Sequence, residues 1–197
     1  MVLAYHVIFG TYGFWLPNDP RGSWSDYVGS LGLLRFGCAT KVQTRKSVAG
    51  IAHDRAQRLA AKRALQYPPV LLTGEQARSV GRGFAAAVRK HGYSIHACTI
   101  MPSHVHLVLG PHEYDVEQQV RLLKSAATEM LLQDGRHPLV RFASIAGRPP
   151  SVWCRGLWKV YLNDPAAVRR AVVYVRDNPI KEGKRPQKWS FMTPCSG

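Results

Sequence analysis

His104 and His106 occupy alternate positions in the stretch Met101-Pro102-Ser103-His104-Val105-His106-Leu107-Val108-Leu109. Val105, Leu107 and Leu109 fill the intervening sites, the period-2 pattern of a β-strand entered through a proline. Successive side chains of a strand point to opposite faces, so the two imidazoles share one face, roughly 7 Å apart, where both can reach a single metal ion. An HxH pair by itself is more often two ordinary surface or core histidines. A second pair lies far along the chain. Tyr174 and Asn178 are four residues apart in a helical pattern, hence on one helix face a turn apart. A tyrosine so placed most often packs in a core, and an asparagine before Pro179 most often caps a helix end.

The elements that must position these residues follow from the pattern. Val2–Tyr12 is rich in aromatic and β-branched residues and reads as a first strand, continuous enough in hydrophobicity to be central. His6 within it reads as packed or hydrogen-bonded, with a place near the active site as the lesser alternative. From Gly13 to about Tyr67 regularity gives way to turn formers, aromatics and basic residues, with a basic helix expected over Ile51–Gln66. Trp15 and Trp24 amid those cations suit single-stranded nucleic acid, and equally well could anchor the insertion to the core. Thr73 with Gln76 forms a capping-box pattern that opens a helix running to about His91, and Gly92 stops it. Tyr93–Ile100 is a second strand, and His104–Leu109 returns antiparallel to it. Asp115 to about Gln133 is an amphipathic helix, with Arg121 and Lys124 near its polar side. Trp153–Leu162 is a strand or irregular segment. Ala166–Asn178 is a helix opened by Asn163 or Asp164 with Pro165 in its first turn, and Pro179 is expected to end it. Lys181 onward is basic and poorly patterned. The succession predicts an α+β fold, an antiparallel split-βαβ sheet with helices on one face. It forms one domain over 1–183, with the insertion at about 13–67 and a basic tail at 184–197.

Composition narrows the partner. The 197 residues hold 27 Lys+Arg against 12 Asp+Glu, a net charge of +15, and are 46% hydrophobic, enough for a real core. Such an excess of cations suits a polyphosphate partner. No cationic amphipathic helix with an aromatic face favours a membrane surface, and no run of about 20 apolar residues spans one. The start of the chain lacks the pattern of a signal peptide. Cys38, Cys98, Cys154 and Cys195 show neither CxxC spacing nor a disulfide framework, which points to the reducing cytoplasm.

The two motifs together, with Arg155-Gly156-Leu157-Trp158 before the last helix and Asn178-Pro179-Ile180-Lys181-Glu182-Gly183 at its exit, resemble the single-tyrosine HUH transposases. The likeness is strongest to the REP-associated tyrosine branch, loose over Val2–Tyr12 and good over Tyr93–Gly183. It implies a ferredoxin-like HUH endonuclease fold that cleaves and rejoins hairpin-bearing single-stranded DNA through a 5′-phosphotyrosine. By that resemblance Tyr174 is the nucleophile. His104, His106 and Asn178 are ligands of Mg²⁺ or Mn²⁺. Lys124, Arg121, Arg155, Lys181, Trp15 and Trp24 are candidates for contacting DNA. Relatives of this kind work as monomers or as homodimers. A histidine-triad hydrolase would need a third alternating histidine where Val108 stands, and HExxH is absent. A replication- or relaxase-type HUH nickase and a non-catalytic, domesticated nucleic-acid-binding protein are the remaining alternatives.

Overall fold

The computed structural model describes residues 1–19, 28, 30–39 and 52–194. Trp24 and residue 51, the start of the expected basic helix, lie outside them. Strands β1 (Ala4–Gly10), β2 (Ile95–Ile100), β3 (His104–Leu109) and β4 (Trp158–Leu162) form one sheet in the order β2-β3-β1-β4. Every neighbouring pair is antiparallel. This is the α+β, ferredoxin-like arrangement that the succession of elements predicts, with β1 central.

Helices α2 (Gly74–His91) and α3 (Val116–Gln133) make the two crossovers. Thr73 opens α2 with a reciprocal capping box, Oγ1 accepting from Gln76 N at 3.2 Å and Gln76 Oε1 accepting from Thr73 N at 2.9 Å. Gly92 ends it in the left-handed region at φ 71°. The two helices approach so closely that a Cβ on Gly83 would meet the backbone of Ala127 at 2.6 Å. Their apolar stripes, including Val80, Phe84, Val120, Leu123 and Ala127, cover the sheet face carrying Val7, Phe9, Ile100, Val105, Leu107 and Leu109.

The expectation that the helices share one face holds for these two and fails for the last. Helix α4 (Pro165–Lys181) lies on the opposite face, because that face has its own apolar end. Ala4, Ala97, Val108 and Leu162 meet Val168, Ala171, Val172 and Val175 there. Asp164 caps α4, its carboxylate accepting from Ala167 N at 2.7 Å. The helix also does not stop at Pro179. A proline has no N–H to give the carbonyl four residues back, here that of Val175. Thr99 Oγ1 on β2 donates to that carbonyl at 2.6 Å, so the helix continues to Lys181 with the vacated acceptor satisfied.

The described part of the insertion holds helix α1 (Arg55–Arg63), shorter than the 51–66 expected and capped by Asp54. It packs Ala61 with Leu16 and Leu33 in a small satellite core. The tail is not loose over the residues described. The Gln187 amide pairs with both N–H and C=O of Ile100 at 2.8 Å each, and Thr193 N donates to Ile95 O at 2.8 Å, so the tail runs along the β2 edge. Trp189 seats against Gly81, where a Cβ would come within 2.3 Å of its ring. Among the described residues no helix is long and apolar enough to cross a membrane.

Candidate active site

The α4-side face of the sheet changes character along the strands. The register places Ala97, Val108, His6 and Val160 in one row and Thr99, His106, Ile8 and Trp158 in the next, with His104 opposite Gly10 beyond them. The apolar end holds the first half of α4. The second half, Tyr174 to Asn178, therefore passes over the rows that carry histidines, at the level fixed by the Thr99–Val175 hydrogen bond.

His104 and His106 share this face, their ring centroids 4.9 Å apart. The Tyr174 ring lies 5.8 Å from that of His106 and is 41% exposed. His106 is 3% exposed, and its pKa is held well below the usual imidazole value, first by burial and then by the neighbouring His104 and His6. His6 completes the group. Its Nε2 is 3.3 Å from His106 Nδ1, and its ring is 5.6 Å from that of Tyr174 and 5.3 Å, edge-on, from Trp158. Burial pushes its pKa down to about 4. Both imidazoles are thus neutral at ordinary pH, the form in which a histidine donates to a metal.

His104 is held from two other sides. Ser103 Oγ is 3.2 Å from its Nδ1, and Phe14 stacks on its ring with centroids 5.0 Å apart. Phe14 can take that seat because Gly10, opposite His104, has no side chain. A Cβ there would fall 2.5 Å from the Phe14 ring.

Asn178 sits a turn beyond Tyr174, 9% exposed, and its buried Oδ1 has no hydrogen-bond partner among the described residues. A buried, unsatisfied carbonyl oxygen is costly, and a cation is one thing that would satisfy it. Among the described residues no three His, Cys, Asp or Glu side chains converge on a metal position. A divalent ion here would rest on two imidazoles and an amide oxygen, a set that fits one and leaves coordination positions for substrate.

The other expected residues divide. Lys181 is exposed and places Nζ 4.9 Å over the Tyr174 ring. Trp15, half-buried, packs on Phe14 at 5.3 Å and so borders the His104 side. Arg155 is exposed on the loop before β4, and Arg121 is exposed on α3, across the sheet from the histidines. Lys124 is tied to neighbouring backbone within the chain. Its ammonium is turned inward, donating to the carbonyls of Cys154 at 3.0 Å and Gly156 at 2.8 Å, with burial lowering its pKa to about 8. It holds the loop that carries Arg155. His6, which the sequence offers near the site only as the lesser alternative, is the further residue beside these rings. Its one signal was alternation with Ala4 and Ile8, which gains meaning only once β1 is known to pair with β3.

No protein-family model matches the sequence, and no curated protein matches it. Among solved structures the fold is similar to a provisionally assigned transposase of Deinococcus radiodurans R1, at 13% identity and TM-score 0.44, over 95% of this chain and 94% of that one. It is also similar to a REP-associated tyrosine transposase bound to a REP hairpin, at 12% identity and TM-score 0.48, over 92% of this chain and 68% of that one.

Proposed function

We propose that the chain is a DNA strand-transfer enzyme, a single-tyrosine transposase acting on hairpin-bearing single-stranded DNA with Mg²⁺ or Mn²⁺. The observation that carries this reading is the grouping of the His104, His106 and Tyr174 rings over one end of one sheet face, with Asn178 one turn further along the same helix and its buried Oδ1 without a hydrogen-bond partner among the described residues. The net charge of +15 supports a phosphate-rich partner.

In this reading His104, His106 and Asn178 would hold the cation, which when bound would supply Lewis-acid polarisation of a phosphodiester oxygen. The Tyr174 hydroxyl attacks phosphorus. The new bond from the phenolic oxygen to phosphorus replaces the bond to the 3′ oxygen, which leaves as a hydroxyl carrying a proton while the phenol gives one up. The ester bond is conserved in the 5′-phosphotyrosine, so a 3′-hydroxyl can reverse the step and join strands without nucleotide hydrolysis. Lys181 supplies a positive charge beside the nucleophile, suited to the non-bridging oxygens.

The test is incubation of labelled hairpin single strands with protein and Mn²⁺, then denaturing electrophoresis. A covalent, slower-migrating species is expected with the natural chain and absent with Tyr174→Phe. Salt-sensitive binding with no adduct under any metal would establish the non-catalytic binding protein instead.

A further inference from the structure

His106 must present one particular nitrogen if it is a metal ligand, and something must decide which. A ligating imidazole is neutral, with one nitrogen bearing hydrogen and the other free to coordinate. The hydrogen bond made by one nitrogen selects the role of the other. Among the described residues His106 has a single hydrogen-bond partner, His6, reached from Nδ1 at 3.3 Å. No carboxylate or backbone carbonyl takes that place. The pairing is built by the sheet: His6 is opposite Val108 and His106 is opposite Ile8, so the two histidines lie diagonally across one strand pair on the same face. Their rings are 19° from parallel. Trp158 and Tyr174 flank His6 edge-on, limiting its rotation.

We propose that His6 is a positioning residue for this site: its Nε2 accepts the Nδ1 hydrogen of His106, leaving His106 Nε2 as the nitrogen that faces a divalent cation. The proposal rests on the metal-dependent reading above. His6 then carries its own hydrogen on Nδ1, so the two-histidine relay runs in one direction across the sheet. His104 is held differently, by Ser103 in its own turn and by the ring of Phe14 from the segment that follows β1.

The experiment measures Mn²⁺ binding by calorimetry on the full chain without DNA, for the natural protein, His6→Phe, His6→Gln and His106→Ala. Phenylalanine keeps the ring packing and removes the acceptor, and glutamine restores an acceptor near the same point. His6→Phe should weaken Mn²⁺ binding by roughly 10- to 100-fold, the usual effect of losing the partner of a ligating histidine. His6→Gln should recover most of it. Salt-dependent DNA binding should stay unchanged in both. Equal affinity of His6→Phe and the natural chain would overturn the proposal while leaving the metal-dependent reading intact. Equal loss in His6→Phe and His6→Gln would also overturn it, assigning His6 to packing. No Mn²⁺ binding by the natural chain, or none lost in His106→Ala, would overturn the reading and the proposal with it. Long-range nitrogen–proton spectra of the imidazoles keep the idea testable even if His6→Phe fails to fold. They should show His106 protonated on Nδ1, and a hydrogen on Nε2 would refute the assignment.

Discussion

At the scale of single residues, the site stores a cost in its neutral histidines. The folded-state pKa of His6 lies at about 4 against 6.5 for a free imidazole, and that of His106 is lowered as well. Below pH 6.5 the unfolded chain therefore binds protons that the folded chain refuses, so stability is full above that pH and falls as pH drops toward 4. The metal-free protein should lose on the order of 1–3 kcal/mol across that window from His6 alone, measured as the urea midpoint against pH. His6→Phe should flatten the curve. A second expectation concerns the seat of Phe14. Gly10→Ala should drive its ring off His104, because the new methyl would overlap it. The measurable result is a loss of unfolding free energy of about 1–3 kcal/mol together with weaker Mn²⁺ binding. His104 and His106 were legible in the sequence because their spacing is a local property of one strand. His6 was not, since its partner is 100 residues away. The carbonyl contacts of Lys124 were not legible for a related reason: helical spacing gives the side of a helix, and a long aliphatic stem can still turn its ammonium inward.

At the scale of elements, the site depends on where α4 crosses the sheet. The apolar contacts of Val168, Ala171, Val172 and Val175 give that crossing its energy, and the Thr99–Val175 hydrogen bond fixes its level. Thr99→Val keeps the shape and strands the Val175 carbonyl, which Pro179 cannot serve. The variant should lose about 1–3 kcal/mol in thermal or denaturant unfolding. Amide exchange should quicken in the last two turns of α4 ahead of the rest. Cleavage should fall by more than the stability loss explains, as Tyr174 and Asn178 ride on that segment. The sequence foretold α2, β3 and the start of α4 closely, because caps and alternation are written within a few residues. It misplaced the end of α4 because the group that excuses Pro179 is Thr99 on β2, 76 residues before the Val175 carbonyl it serves. It also put α4 on the wrong face, since an amphipathic stripe does not say which side of a sheet it will cover.

At the scale of the whole molecule, two features act over long distances. The charge of +15 should make affinity for single-stranded DNA fall linearly with salt on logarithmic axes, with a slope near −0.7 for each phosphate neutralised. Binding titrations between low and physiological salt measure it, and Lys181→Gln should reduce the slope by about 0.7. The tail along β2 contributes in another way. Gln187 imitates a strand partner for Ile100, and Thr193 does the same for Ile95. Both β2 and β4 are outer strands, and of the two it is β2 that the tail lines at Ile95 and Ile100. Gln187 and Thr193 thus occupy backbone groups of β2 that would otherwise be open to another strand, and Gln187→Ala should quicken amide exchange at Ile100 before the rest of the sheet.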